Sequence, residues 1–301
     1  MNSIETFDLV KQYHKKTVID NVNLQVPEGS IFGFVGENGA GKTTIMRLIS
    51  GLAEPTSGSY AINGVKYKDR AIYEERSKMA SIIEAPSLIP TMTARDNLSF
   101  ACLYLGIKEP DLNGLLSTVN LKNTGKKKVK DFSLGMRQRL GIAMSLLNNP
   151  SLMLLDEPMN GLDPEGIAEL RELLISLNKE KGITIFISSH ILSELEKIAT
   201  HYGIISHGKL LKTITVEELH AQCKKHTILK VSDGEKTLIE LKSLGYANCY
   251  EVSPNKIRID DNVEINKIVL ALAKASILVL GIETKDEGVE DYYLNLLKEH
   301  N

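Results

Sequence analysis

The sequence predicts an α/β protein: a largely parallel sheet covered by helices, followed by a small α+β module. Three observations predict it. Short apolar runs at Ser30–Val35, Leu152–Leu155 and Ile183–Ile187 have the unbroken hydrophobicity of strands buried on both faces. Each run leads into a polar or glycine-rich turn and then a helical pattern, so polar groups gather at the carboxyl ends of strands. Beyond about Thr215 the elements become shorter and change their order. With 301 residues, 43% hydrophobic and 25% charged, the chain can build one large core or two ordinary ones.

Taken in order, Ile4 to about Pro27 alternates as strands do and is expected to form an antiparallel addition. The strand Ile31–Val35 precedes the turn Gly36–Thr44 and the helical run Ile45–Ile49. From about Leu98 to Leu147 the pattern is mainly helical, which suggests an inserted helical lobe. In the last stretch, His226–Val231 reads as a strand and Glu235–Leu244 as a helix. Ala247–Val252 and Lys256–Ile259 read as a strand pair, Val263–Lys274 as a helix, Ile277–Ile282 as a strand and Val289–Lys298 as a helix. This β-α-β-β-α-β order predicts a ferredoxin-like module over 216–301.

The bulk composition excludes several function classes. A formal net charge of −2, no tryptophan and few aromatics give neither attraction to nucleic acid nor a base-stacking platform. Cys102, Cys223 and Cys249 lack metal-ligand spacing and fit a reducing, cytosolic compartment. The start, MNSIETFDLV, has no basic and apolar signal pattern. The most apolar window, Ile268–Ile282, is too short to span a bilayer and contains Lys274. Any membrane-spanning helices would belong to a partner. The run Lys126-Lys127-Lys128-Val129-Lys130 reads as a solvated face, with anionic lipid or nucleic acid as the lesser alternative.

The chemistry begins at Gly36-Glu37-Asn38-Gly39-Ala40-Gly41-Lys42-Thr43-Thr44, a complete phosphate-binding loop between a strand and a helix. Glycines let the backbone curl until its N–H groups point at a phosphate, and the helix N-terminus adds partial positive charge. Lys42 would reach the β- and γ-phosphates, and Thr43 would offer a hydroxyl to Mg²⁺. The apolar strand Leu152–Leu155 ends in Asp156-Glu157. Adjacent residues on an extended chain face opposite ways, so Asp156 can serve the metal while Glu157 polarises the attacking water.

Between and beyond these lie Phe132-Ser133-Leu134-Gly135-Met136-Arg137-Gln138-Arg139, Pro158-Met159-Asn160-Gly161-Leu162-Asp163-Pro164 and Ser188-Ser189-His190. They stand where ABC ATPases carry their signature motif, D-loop and switch histidine, and residues 4 to 215 resemble that family. The resemblance implies a P-loop NTPase of the ABC cassette type over 1–215, with a RecA-like core, the antiparallel β addition and the helical lobe. It implies ATP and Mg²⁺ as ligands and a head-to-tail pair of cassettes, two identical copies being expected. Ser133, Gly135 and Met136 would then close the site of the other copy, and Asp163 would bridge the two. By the same resemblance His190 would contact the γ-phosphate, and Tyr13 would stand against adenine.

Two positions depart from the common family pattern. Glu84, in Ser81-Ile82-Ile83-Glu84-Ala85-Pro86-Ser87, replaces a glutamine: it keeps an oxygen for Mg²⁺ or water, loses an amide donor and adds charge. Leu134 replaces a glycine of the signature. These departures, with SLGMRQRLGIA, NGLDPEGI, ISSHILSELE and EDYYLNLL, resemble the ATP-binding subunits of bacitracin and lantibiotic resistance or immunity transporters. That resemblance implies integral membrane permease subunits as partners, a place on the cytoplasmic face of the membrane, and a peptide antibiotic as cargo. The alternative is a stand-alone ABC ATPase acting in macromolecular assembly.

Overall fold

The computed structural model describes residues 1–108, 110–222, 225–261, 263–286 and 289–300. Cys223 lies outside them. The chain forms two compact units, Met1–Val216 and Glu217–Asn301.

A six-stranded sheet organises the first unit. Its strands run in the order Lys209–Thr215, His201–Ser206, Ile31–Val35, Thr184–Ser189, Leu152–Leu155 and Met79–Ile82. All neighbours pair in parallel except the first two. Ile31–Val35, Leu152–Leu155 and Thr184–Ser189 are buried at every position, which is why their sequences show no alternation. Phe32 and Phe34 pack on Phe186 at ring-centroid distances of 5.7 and 5.2 Å. On the other face, Gly33 leaves room for Leu195 and Ala199; a Cβ there would lie 3.0 and 3.3 Å from them.

An antiparallel sheet is built on Asn2–Tyr13, which pairs with Lys16–Val22, Gln25–Pro27 and Ser57–Ile62. The last of these also pairs with Val65–Lys66. The expected addition at Ile4 to Pro27 therefore recruits two later strands as well. The helix Lys42–Ile49 lies between the two sheets. Its Ile45, Met46, Leu48 and Ile49 join one buried cluster with Ile4, Leu9, Val26 and Tyr60 of one sheet and Phe32, Phe34 and Phe186 of the other. Burial of each such side chain contributes roughly 1.5–3 kcal/mol, so the phosphate loop is fastened from both sides.

The helical region comprises Ala94–Leu105, Leu112–Thr118 and Leu134–Ser145. It starts at Ala94 rather than Leu98 because Thr93 and Asp96 form a reciprocal capping box.

In the second unit an antiparallel sheet runs Cys249–Ser253, Lys256–Ile259, Lys225–Val231, Val279–Asp286. The helices Gly234–Ser243 and Ile265–Lys274 connect its strands. Leu229, Val231, Leu241, Ile257, Ile259, Ile268 and Leu272 form its core. The last strand begins at Val279, not Ile277. Ser276 adopts φ 58° and the Ile277 N–H donates to the Leu272 carbonyl at 2.9 Å, so Ile277 closes the preceding helix. A helix Val216–Gln222, not anticipated from the sequence, precedes this sheet.

Candidate nucleotide site

The phosphate loop spans the gap between Ile31–Val35 and Lys42–Ile49. Glu37, Asn38 and Gly39 are exposed, whereas Gly36, Ala40, Gly41 and Lys42 are buried. Two glycines are sterically required. A Cβ at Gly36 would stand 2.4 Å from the Ile205 carbonyl oxygen; Gly41 holds φ +112° as the helix N-cap, and its Cβ would lie 2.5 Å from Ile19. The Gly36 N–H donates to the Ser189 carbonyl at 3.3 Å, tying the loop to the strand that carries His190.

Lys42 curls back over the loop. Its ammonium donates to the Gly36 and Glu37 carbonyls at 2.6 and 3.1 Å and stands 3.2 Å from Glu157 Oε1. The Thr43 hydroxyl donates to Asp156 Oδ2 at 2.8 Å. Thr44 is half-buried behind it. Ser188 binds both neighbouring acids at once: its hydroxyl donates to Asp156 Oδ1 at 2.7 Å and accepts the Glu157 N–H at 2.8 Å. Glu157 has left the extended region, with φ 45°. Its Oε2 lies 3.1 Å from His190 Nδ1 and 3.5 Å from Asn160 Nδ2. One continuous network thus joins Lys42, Thr43, Asp156, Glu157, Ser188 and His190.

A cleft of about 560 Å³ opens on this network, its walls including Thr43, Glu84, Leu134, Asp156, Glu157 and Asn160. The donor set of the network and of the phosphate loop beside the cleft suits a magnesium triphosphate. Thr43 and Asp156 supply adjacent hard oxygens. The buried Lys42 and the open backbone turn offer cationic and N–H donors to phosphate.

A family model described as "ABC transporter" matches residues 19–160. The bacitracin transport ATP-binding protein of Enterococcus faecalis is 41% identical over 296 residues, covering 98% of this chain and 96% of its own. The chain is an ATP-binding subunit of the ABC transporter family. The corresponding bacitracin protein of Bacillus licheniformis is also 41% identical, over 98% of this chain and 97% of its own. The lantibiotic transport ATP-binding protein SrtF of Streptococcus pyogenes is 48% identical over 204 residues, 68% of this chain and 87% of that one. Among solved structures, an ATP-binding cassette in a dimeric post-hydrolysis state with ADP and phosphate superposes with a TM-score of 0.61. Its sequence identity is 25%, over 71% of this chain and 98% of that one.

In this ABC subunit the remaining expected residues are distributed as follows. Ser133 is the N-cap of Leu134–Ser145, its hydroxyl accepting the Met136 N–H at 3.2 Å. Gly135 is buried in the first turn. Leu134 is 39% exposed, and its methyl lies 3.2 Å from where a Gly161 Cβ would be. Asp163 caps Pro164–Lys181, accepting the Gly166 N–H at 3.2 Å. Tyr13 ends its strand half in solvent, under the Lys11 ammonium at 4.8 Å. Glu84 lines the cleft, but its carboxylate is bound by Arg47. Sequence reasoning missed Ser188 and Arg47. The doublet Ser188-Ser189 before His190 was the available signal for one, and nothing marked the other.

Proposed function

We propose that two copies of this subunit close around two ATP molecules and drive separately encoded membrane permease subunits that remove a peptide antibiotic of the bacitracin or lantibiotic type. The observation that carries this reading is the extent of the match to the bacitracin transport proteins. It runs over 98% of the chain, beyond the cassette and through the second unit. No described helix is long and apolar enough to cross a membrane, so attachment to the cytoplasmic face would come through the permease.

On this reading the work within one site divides among the residues of the network. Lys42, already held by loop carbonyls and Glu157, exchanges these for phosphate oxygens. Thr43, Asp156 and, across the cleft, Glu84 would hold Mg²⁺, which when bound offsets phosphate charge. Glu157, released from Lys42, accepts the proton of the attacking water. His190 keeps its carboxylate oriented. The exposed Ser133, with Gly135 and Met136 beside it, would complete the facing copy's site, with Asp163 at the seam. Tyr13 would receive the adenine.

The test is growth inhibition by a panel of bacitracin-like and lantibiotic peptides, with and without this gene and a neighbouring permease gene. The reading requires resistance that needs both genes and is lost on Glu157→Gln. Unchanged sensitivity to every peptide would contradict the cargo assignment.

A further inference from the structure

Arg47 stands one helical turn after Thr43, so the two side chains share a face of Lys42–Ile49. Its guanidinium binds the carboxylate of Glu84, in the loop that follows the strand Met79–Ile82. The Arg47 side chain is 41% exposed and that of Glu84 66%, and so solvated an ion pair adds little to folding stability. The backbone beneath it is nevertheless unusual. Glu84 has φ 70°, and the Ala85 N–H donates to the Ile83 carbonyl at 3.0 Å. This is a γ-turn of the rare positive-φ kind, strained at a non-glycine residue. Packing of the Glu84 side chain does not impose it, because that side chain is exposed.

The turn also has a strategic place. Glu84, Ala85 and Pro86 line the nucleotide cleft, while Ile83, Ala85, Pro86 and Ser87 line a second groove with Gly141 and Met144. Pro86 rests directly on Gly141 of the signature helix, where an added Cβ would come within 2.4 Å. One short loop is therefore the wall between the two cavities.

We propose that Arg47 is a positioning residue that acts through Glu84, resting on the nucleotide site described above. It balances the carboxylate's charge and keeps it turned toward the guanidinium until a magnesium nucleotide arrives. Glu84 then exchanges Arg47 for the nucleotide's metal within the cleft it already lines. A glutamine at position 84 would need no such partner, so the arrangement belongs to the carboxylate found here.

The test is a double-mutant cycle on the full chain, with Arg47→Ala and Glu84→Gln alone and together. Affinity for ATP is measured by titration calorimetry in Mg²⁺ and in EDTA. Removing Arg47 leaves an unbalanced carboxylate facing the triphosphate and frees it for the metal. The ratio of affinity in Mg²⁺ to that in EDTA should rise about threefold or more, the scale of an exposed ion pair. In the Glu84→Gln background the same change should leave the ratio unaltered, and Arg47→Lys should restore it. An equal effect in both backgrounds, or none in either, overturns the proposal. Failure of every protein, including the unaltered one, to bind ATP would instead overturn the nucleotide-site reading.

Discussion

Glu157 is held by Lys42, His190, Asn160 and, through its backbone, Ser188, and these contacts define what its substitutions should do. Glu157→Gln keeps the size and one acceptor oxygen, gives up the charge that faces Lys42, and cannot take a proton. We expect ATP affinity to survive and turnover to fall by roughly two to four orders of magnitude, as for loss of a general base; single-turnover hydrolysis measures it. Ser188→Ala should lower turnover as well, since it frees both Asp156 and Glu157. Gly41→Ala should abolish ATP binding, because a Cβ at φ +112° strains the backbone and strikes Ile19. A filter-binding assay would show this, and normal affinity would refute the cradle geometry. Away from the site, burial pushes the Cys102 and Cys249 thiols up. Both should resist iodoacetamide at neutral pH in the folded protein and react in urea.

The contiguous motif residues were legible because the chain itself brings Gly36 to Thr44 together. Ser188 and Arg47 were not. Their importance comes from contacts to Asp156 and Glu84, residues remote in sequence, and a serine or arginine alone carries no spacing signal.

Among the elements, the cassette sheet was legible wherever burial on both faces removes alternation, as at Leu152–Leu155. The strand Ser57–Ile62 escaped because its first half, Ser-Gly-Ser, is polar and its partner is the distant Asn2–Tyr13. The lobe's first helix was placed late because its opening turn, Ala-Arg-Asp-Asn, is polar; the signal lay in Thr93 and Asp96. Caps also make a prediction at this scale. Asp163 accepts the Gly166 N–H, so Asp163→Ala should cost about 1 kcal/mol of cassette stability, whereas Asp163→Asn should cost little. If Asp163 also bridges two copies through its charge, Asp163→Asn will weaken ATP-driven pairing while its denaturation midpoint stays near that of the unaltered chain. Urea unfolding together with sedimentation separates the two roles.

For the whole molecule, the α/β class and the family were legible, because hydrophobic runs and motif order are properties of the single chain. The composite site proposed above is not, since on that reading half of its donors would belong to a second copy. Each cassette presents a phosphate loop with its carboxylates and, beginning at Leu134 in the wall of the same cleft, a helix capped by Ser133. On the proposed reading, neither part alone would enclose a γ-phosphate. The most direct test of this composite site is the light-scattering mass of Glu157→Gln with ATP and Mg²⁺. We expect ATP to shift the protein from the 33.3 kDa of one chain to twice that mass, and ADP to leave it single. A variant that binds ATP at full occupancy yet stays at the mass of one chain would contradict the composite site.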